Sequence, residues 1–392
     1  TKFLLKNVRV KIKQHYNLSW SCALYASNIC RFPQCPQLYI MINFNINFND
    51  YKTISSLGQC FEGRATVNLA KHHPSNSLVA LKKFNMDKLK EDSSLVDLEI
   101  IITKQLQHPH ILPYLATFVH GPEVCVVSPL MAYGSCRDLL NNHFNEGLPE
   151  QAIVIVLRDL LDALSYVHRK GYIHRAIRAS HILVSSAGRA CLTGFRYACP
   201  IVINGRWQKT IHSFPSSTKA NLNWLSPELL EQNLIGYNEK SDIYSVGMVI
   251  CELGNGSEPF AGMSSTLMLT EKVRGCTPQL LDCSTIPRDL NGDCSSGDCD
   301  ISPKIIHRRF SEDSHQVTAL CLNREPYDRP SAVQLLTHPI FKTIRKSLPL
   351  TDLLKPALPL SDRVALNSDD LEDMDSLNNF SNLDIFSCEW DF

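Results

Sequence analysis

The chain has 392 residues, and 39 Lys and Arg side chains balance 39 Asp and Glu. Zero net charge excludes whole-molecule steering toward nucleic acid or anionic lipid, and the length allows two lobes, or one large domain with tails, around a sizeable core. Fifteen cysteines are scattered without regular pairing, which reads as an intracellular thiol inventory and not as a disulfide framework. The stretch TKFLLKNVRVKIK (1–13) is broken by charge every few positions and lacks the apolar core of a secretory signal. LYIMI (38–42) is too short to span a bilayer, so no membrane association is expected.

Residues 1–49 mix Cys, Asn and aromatic side chains without a period and are read as an N-terminal extension. From Tyr51 the pattern changes. YKTISSLG, ATVNLAKH and SLVALKKF read as short strands between polar turns. An amphipathic helix follows over 88–106, with Ser93 or Ser94 as its cap or with an earlier start. HILPYLATFVHGPEVCVVSPL supplies two more strands around a Gly-Pro turn. Residues 50–130 therefore form a mainly-β lobe with one helix.

Beyond MAYGS the chain turns helical. Ile153, Val156, Leu157, Leu160, Leu161 and Leu164 recur at helical spacing within 149–169, with Gly171 as a stop signal. Residues 241–256, SDIYSVGMVICELGNG, are apolar nearly all round and predict a buried central helix. Two further helices are expected within 311–341. Between them and the central helix lies a polar loop, 283–304, read as an interlobe insert. Its DLNGDCSSGDCD run lacks the turn glycine and final Glu of a calcium loop. The mainly-α lobe spans 131–342. Residues 343–392 gain Pro, Ser, Asn and Asp and are read as a flexible acidic tail.

VALK, HR, SPE, SDIYSVG and DRP follow one another at intervals that resemble the protein-kinase fold, a bilobal α+β architecture, over about 50–342. In that frame Gly58 and Gly63 belong to a phosphate-cradling loop, although Cys60 takes its middle glycine position. Lys82 is the strand lysine that meets α- and β-phosphates, and Glu99 is its helix partner. Phosphoryl transfer needs an aspartate to accept the substrate proton, and an Asp and an Asn to hold magnesium. The base position is Ala176, the Asn position is His181, and the second Asp position is Gly194, eighteen residues after Ala176. Arg196 adds positive charge close by. His181 reads as a packed loop histidine in preference to a rescue base or metal ligand. Glu228 and Arg329 match a buried ion pair, and Asp242 a carboxylate that braces His174 and Arg175. Phe195 remains able to complete the apolar spine between the lobes. The framework is present and the reacting groups are absent, the pattern of a pseudokinase with no catalytic residues.

VVSPLMAYGSCRDLL (126–140), GYIHRAIRASHILVS (171–185), NWLSPELLEQNLIGYNEKSDIYSVG (223–247) and the terminal WDF (390–392) resemble the STRAD family of Sterile-20-related adaptor proteins. The family's usual ending has Glu where this chain has Asp391. The resemblance implies ATP binding through Gly58, Gly63, Lys82 and Glu99, without a requirement for magnesium. It implies allosteric activation of a liver kinase B type serine/threonine kinase, docked through segment 197–225. It also implies an armadillo-like scaffold of the Mo-twenty-five type, bound through Trp390, Asp391 and Phe392. The implied location is the cytoplasm, with the nucleus as a second site. Two alternatives stand beside this reading: an active Sterile-20-like kinase with displaced catalytic residues, and a decayed copy.

Overall fold

The computed structural model describes residues 44, 46–61, 63–90, 92–215, 219–231, 236–286, 303–346 and 348–360. Trp390, Asp391, Phe392, the extension up to residue 43 and the calcium-like run 289–300 lie outside the described residues.

Five antiparallel strands build the first lobe: β1 (Tyr51–Cys60), β2 (Ala65–His72), β3 (Ser77–Asn85), β4 (Ala116–His120) and β5 (Glu123–Pro129), paired in the order β1-β2-β3-β5-β4. Side chains alternate across a strand, so Ala80, Lys82 and Phe84 share one face of β3. That face meets the apolar cluster of Leu57, Val67, Leu69 and Val126. Helix α1 (Ser93–Gln105) starts later than its periodicity suggests. The Asn85 side chain accepts from the amides of Asp87 and Lys88, closing a turn that consumes the first residues of the amphipathic stretch. Asp92, not Ser93 or Ser94, holds the N-cap position, and it makes no side-chain cap bond.

The second lobe begins with β6 (Gly134–Ser135) and α2 (Cys136–Asn142), whose start is closed by a Ser135–Asp138 capping box. It continues through α3 (Glu150–Arg169), β7 (Tyr172–Ile173), β8 (Ile182–Val184), β9 (Ala190–Leu192), β10 (Cys199–Pro200), β11 (Val202–Ile203) and β12 (Arg206–Trp207). The remaining helices are α4 (Pro227–Leu230), α5 (Lys240–Asn255), α6 (Ser265–Arg274), α7 (Pro303–His307), α8 (Glu312–Cys321), α9 (Ala332–Leu335) and α10 (Leu350–Leu353). Helix α5 is buried on every side, and Gly256 ends it at φ +77°. Among the described residues, no helix is long and apolar enough to cross a membrane, and the nine described cysteines are free thiols.

Two expectations are corrected. The insert departs from the helical lobe, not from between the lobes. Leu280 and Phe310, on either side of it, are buried in the helical core. Arg308 donates to the carbonyls of Glu146 and Gly254 at 2.6 Å each, which pins the base of the insert there. The flexible tail does not begin at 343. Leu350, Leu354 and Ala357 are buried in the helical core, and the chain continues to Leu360, whose amide donates to the Ala132 carbonyl at 2.8 Å. Three prolines and a few spaced apolar residues give this stretch the composition of a linker, while their positions give it a packed face.

Arg329 meets Glu228 with two bonds, 2.6 and 2.9 Å, and only 1% of Arg329 is exposed. The pair ties α4 to the turn before α9. Removing one partner strands a buried charge. Arg329→Ala should therefore lower unfolding stability by about 3–5 kcal/mol in urea denaturation, and Arg329→Ala/Glu228→Gln by less than that.

Candidate functional site

Helix α5 fixes the loop at the floor of the cleft. The Asp242 carboxylate accepts from the His174 amide at 2.8 Å and the Arg175 amide at 2.9 Å, and it meets His168 Nε2 at 2.8 Å. Burial would raise its pKa, but the His168 and His174 contacts outweigh that and hold it below the usual carboxylate range. Three turns along the same helix, Glu252 accepts from the Ala179 amide at 3.1 Å and Trp224 Nε1 at 2.8 Å. Burial pushes its pKa up to about 7. Sequence reasoning missed Glu252. The signal was available, because a carboxylate in a helix that is apolar all round needs a partner.

Arg175 sits at φ +62° and donates to the carbonyls of Tyr197 and Ser213 and to the Tyr237 hydroxyl. These neutral acceptors hold segment 197–213 against the loop. Within it, β11 and β12 form a short hairpin that leaves Val202, Ile203 and Trp207 exposed.

Ala176, at the position of the base, is buried and presents only a methyl group. Its carbonyl receives His181 Nδ1 at 2.5 Å. Burial drives the His181 pKa well below its ordinary value, and the charges of Arg178 and Arg196 push the same way. The ring is therefore neutral, and a neutral ring bonded to a carbonyl carries its proton on Nδ1. His181 is a packed loop histidine. Gly194 explains why it fits. A Cβ at Gly194 would lie 2.8 Å from His181 Cγ and Nδ1, and Gly194 has φ +85°. The imidazole fills the room that a side chain at 194 would need. Phe195 next to it is fully buried and packs edge-on to His174, centroids 4.7 Å apart.

The roof of the cleft holds an ionic cluster. Lys82 Nζ lies 2.9 Å from Glu99 Oε1, and the Tyr114 hydroxyl donates to the same oxygen at 2.5 Å. Arg196 Nε is 3.8 Å from Glu99 Oε2. Burial acts to raise the Glu99 pKa, yet Lys82, Arg196 and Tyr114 together hold it below the ordinary range. Gly58 and Gly63 lie in the β1–β2 hairpin, where Gly58 pairs with Val67 across a bulge. At its tip Cys60 and Phe61 turn inward and are buried. Phe61 adopts φ +54°, and Arg196 Cζ lies 3.9 Å from its ring centroid. Sequence reasoning did not single out Phe61, because its orientation depends on that left-handed backbone.

Magnesium takes oxygen ligands. The two metal positions offer an imidazole engaged with the main chain, at His181, and a hydrogen atom, at Gly194, beside the positive charge of Arg196. These residues do not fit the ion. Among the described residues, no group of three or more His, Cys, Asp or Glu is placed to hold a metal.

A β-lobe, a helical lobe and a braced loop beneath a lysine–glutamate pair define a protein kinase domain, and residues 51–341 match that family. The chain is 38% identical over 365 residues to mouse STE20-related kinase adapter protein alpha, covering 87% of this chain and 84% of that one. It is 39% identical to the human alpha protein, covering 84% and 82%, and 35% identical to the human beta protein, covering 79% and 80%. The chain belongs to the STE20-related kinase adapter family.

Gly194→Asp should destabilise the protein by about 2–4 kcal/mol, through the clash and the positive φ. Adding His181→Asn should recover part of the loss in the same denaturation assay. A full-strength loss in the double variant would show that His181 does not fill the site. The buried histidines also set an acid response. His174 is depressed to about 4 by burial, and His181 is depressed as well. The unfolded chain takes up these protons below about 6.5 while the native state refuses them, so stability falls as pH drops from 6.5 toward 4. Glu252 acts in the opposite sense between 7 and 4.5. His181→Asn should therefore flatten the acid limb of melting temperature against pH, with Glu252 common to both proteins.

Proposed function

We propose that this chain is a catalytically inactive kinase-fold adapter that binds ATP without magnesium and activates a partner kinase by docking. The observation that carries the reading is the joint replacement at the floor of the cleft. The His181 imidazole occupies the space beside Gly194, Ala176 supplies no base, and the framework around them is intact. Loss of a general base alone costs about 10²–10⁴ in rate, and loss of the metal ligands removes the larger electrostatic contribution. An active kinase with displaced residues would need another carboxylate in this cluster. Glu99 is engaged by Lys82, Tyr114 and Arg196, and Glu252 by the Ala179 amide and Trp224.

Nucleotide binding is supported by charge. Lys82 and Arg196 face one carboxylate, Glu99, so the cleft carries its own cations for a triphosphate. Lys82 and Arg196 would meet phosphate oxygens, and Gly58 and Gly63 would allow the hairpin main chain to approach. Phe61 lies over Arg196 and near Lys82, its centroid 5.9 Å from Lys82 Nζ, so the ring must swing outward to admit phosphates.

Docking is supported by the surface of segment 197–225. Trp207 is 54% exposed, with Val202, Ile203 and Phe214 exposed nearby. Exposed aromatic and aliphatic side chains on a held segment suit a partner interface. The relatives are named as kinase adapters. The partners in this reading are a liver kinase B type serine/threonine kinase and an armadillo-like scaffold of the Mo-twenty-five type. The scaffold is gripped by Trp390, Asp391 and Phe392, and the complex works in the cytoplasm and nucleus. Activation here is a difference in affinity for two states of the partner and needs no phosphoryl transfer.

The test uses purified full chain. ATP should raise the melting temperature equally with magnesium and with EDTA, and Lys82→Met should abolish the rise. Phe61→Ala should tighten ATP binding roughly tenfold, by removing a closed state that nucleotide must displace. Phosphoryl transfer to a generic substrate should stay at background, while the partner kinase gains activity in the presence of chain and scaffold. Transfer that Lys82→Met abolishes would overturn the reading. Deleting 390–392 should weaken scaffold binding and leave ATP binding intact.

A further inference from the structure

The stretch 348–360 crosses from one lobe to the other. On the helical side Leu350, Leu354 and Ala357 are buried in the core. Leu350 and Thr351 sit against the Gly188 turn that joins β8 to β9, where a Cβ at Gly188 would lie 3.1–3.3 Å from their atoms. At the other end Leu360 reaches the hinge between the lobes. Its amide donates to Ala132 O at 2.8 Å, and its side chain packs against a cluster containing Leu57, Val67, Ala80 and Met131. That cluster also takes Leu183 from β8 and Cys191 from β9, so it crosses the cleft. Pro349, Pro356 and Pro359 limit the backbone freedom of the crossing, which lowers the entropy lost in holding it. Leu358, between the two anchor points, is 53% exposed, as a strap with one packed face requires.

We propose that residues 348–360 are a strap that closes the hinge side of the cleft, and that Leu360 forms part of the apolar wall against which a nucleotide base rests. An apolar slot lined by Leu57, Val67, Ala80 and Met131 beside the hinge suits a planar heteroaromatic ring. The strap brings a residue from beyond the kinase-like match into that slot. It also brings Leu360, the last described residue, to the hinge and not to the base of the helical lobe. The role in base binding rests on the ATP reading given above. The strap itself does not.

The experiment uses full-length chain in four forms: unaltered, Leu360→Asp, Leu360→Met, and Leu358→Ala as a control on the exposed side. Hydrogen exchange without nucleotide is followed in peptides covering 128–134 and 355–361. ATP affinity is then measured in EDTA. Leu360→Asp should speed exchange in both peptides tenfold or more and weaken ATP roughly tenfold. Leu360→Met should restore both, and Leu358→Ala should change neither. Unchanged exchange in Leu360→Asp overturns the strap. Faster exchange with unchanged ATP affinity overturns the place of Leu360 in the base site. If the unaltered chain binds no ATP, the nucleotide reading fails and the base-site role with it, and hydrogen exchange alone decides the strap.

Discussion

The cleft depends on one buried carboxylate. Asp242 is fully buried in α5, and an isolated charge there would be expensive. It is stable because two consecutive main-chain amides and His168 converge on it. The same bonds force the chain at His174 and Arg175 into a single shape, with Arg175 at positive φ. Once that shape is set, the Arg175 guanidinium reaches the carbonyls of segment 197–213, and the Ala176 carbonyl points where His181 can donate to it. Glu252 completes the support from the far end of the helix. The loop is therefore held by α5.

The losses at the floor of the site belong together. A histidine larger than asparagine needs room, and the absence of a side chain at Gly194 provides it. The imidazole then has a hydrogen-bond partner and no requirement for charge. At the roof, Arg196 meets Glu99 from the side opposite Lys82, so one carboxylate balances two cations. This arrangement buries two cations beside one carboxylate. Phe61 covers it from the β1–β2 hairpin.

Much of the framework was legible in the sequence. The strands, α3 and α5 follow from periodicity, and Lys82–Glu99 and Glu228–Arg329 from motif spacing. The start of α1 was misread because the amphipathic pattern continues through a turn that Asn85 closes with its side chain. The tail was placed too early because composition averages over a window, while Leu350, Leu354, Ala357 and Leu360 act individually at separate contacts. Phe61 was overlooked because no local pattern marks a side chain that folds inward only when its backbone turns left-handed.

By itself the sequence determined which side chains the floor of the cleft can offer, since no folding can make a carboxylate of Ala176 or Gly194. It also determined the order of the lobes, because hydrophobic period and turn residues act over short distances. Only the tertiary structure decided what fills the space those carboxylates would take, and that the chain returns to its hinge at Leu360. Those outcomes depend on groups distant in sequence competing for the same few ångströms, and that competition exists only once the two lobes face each other.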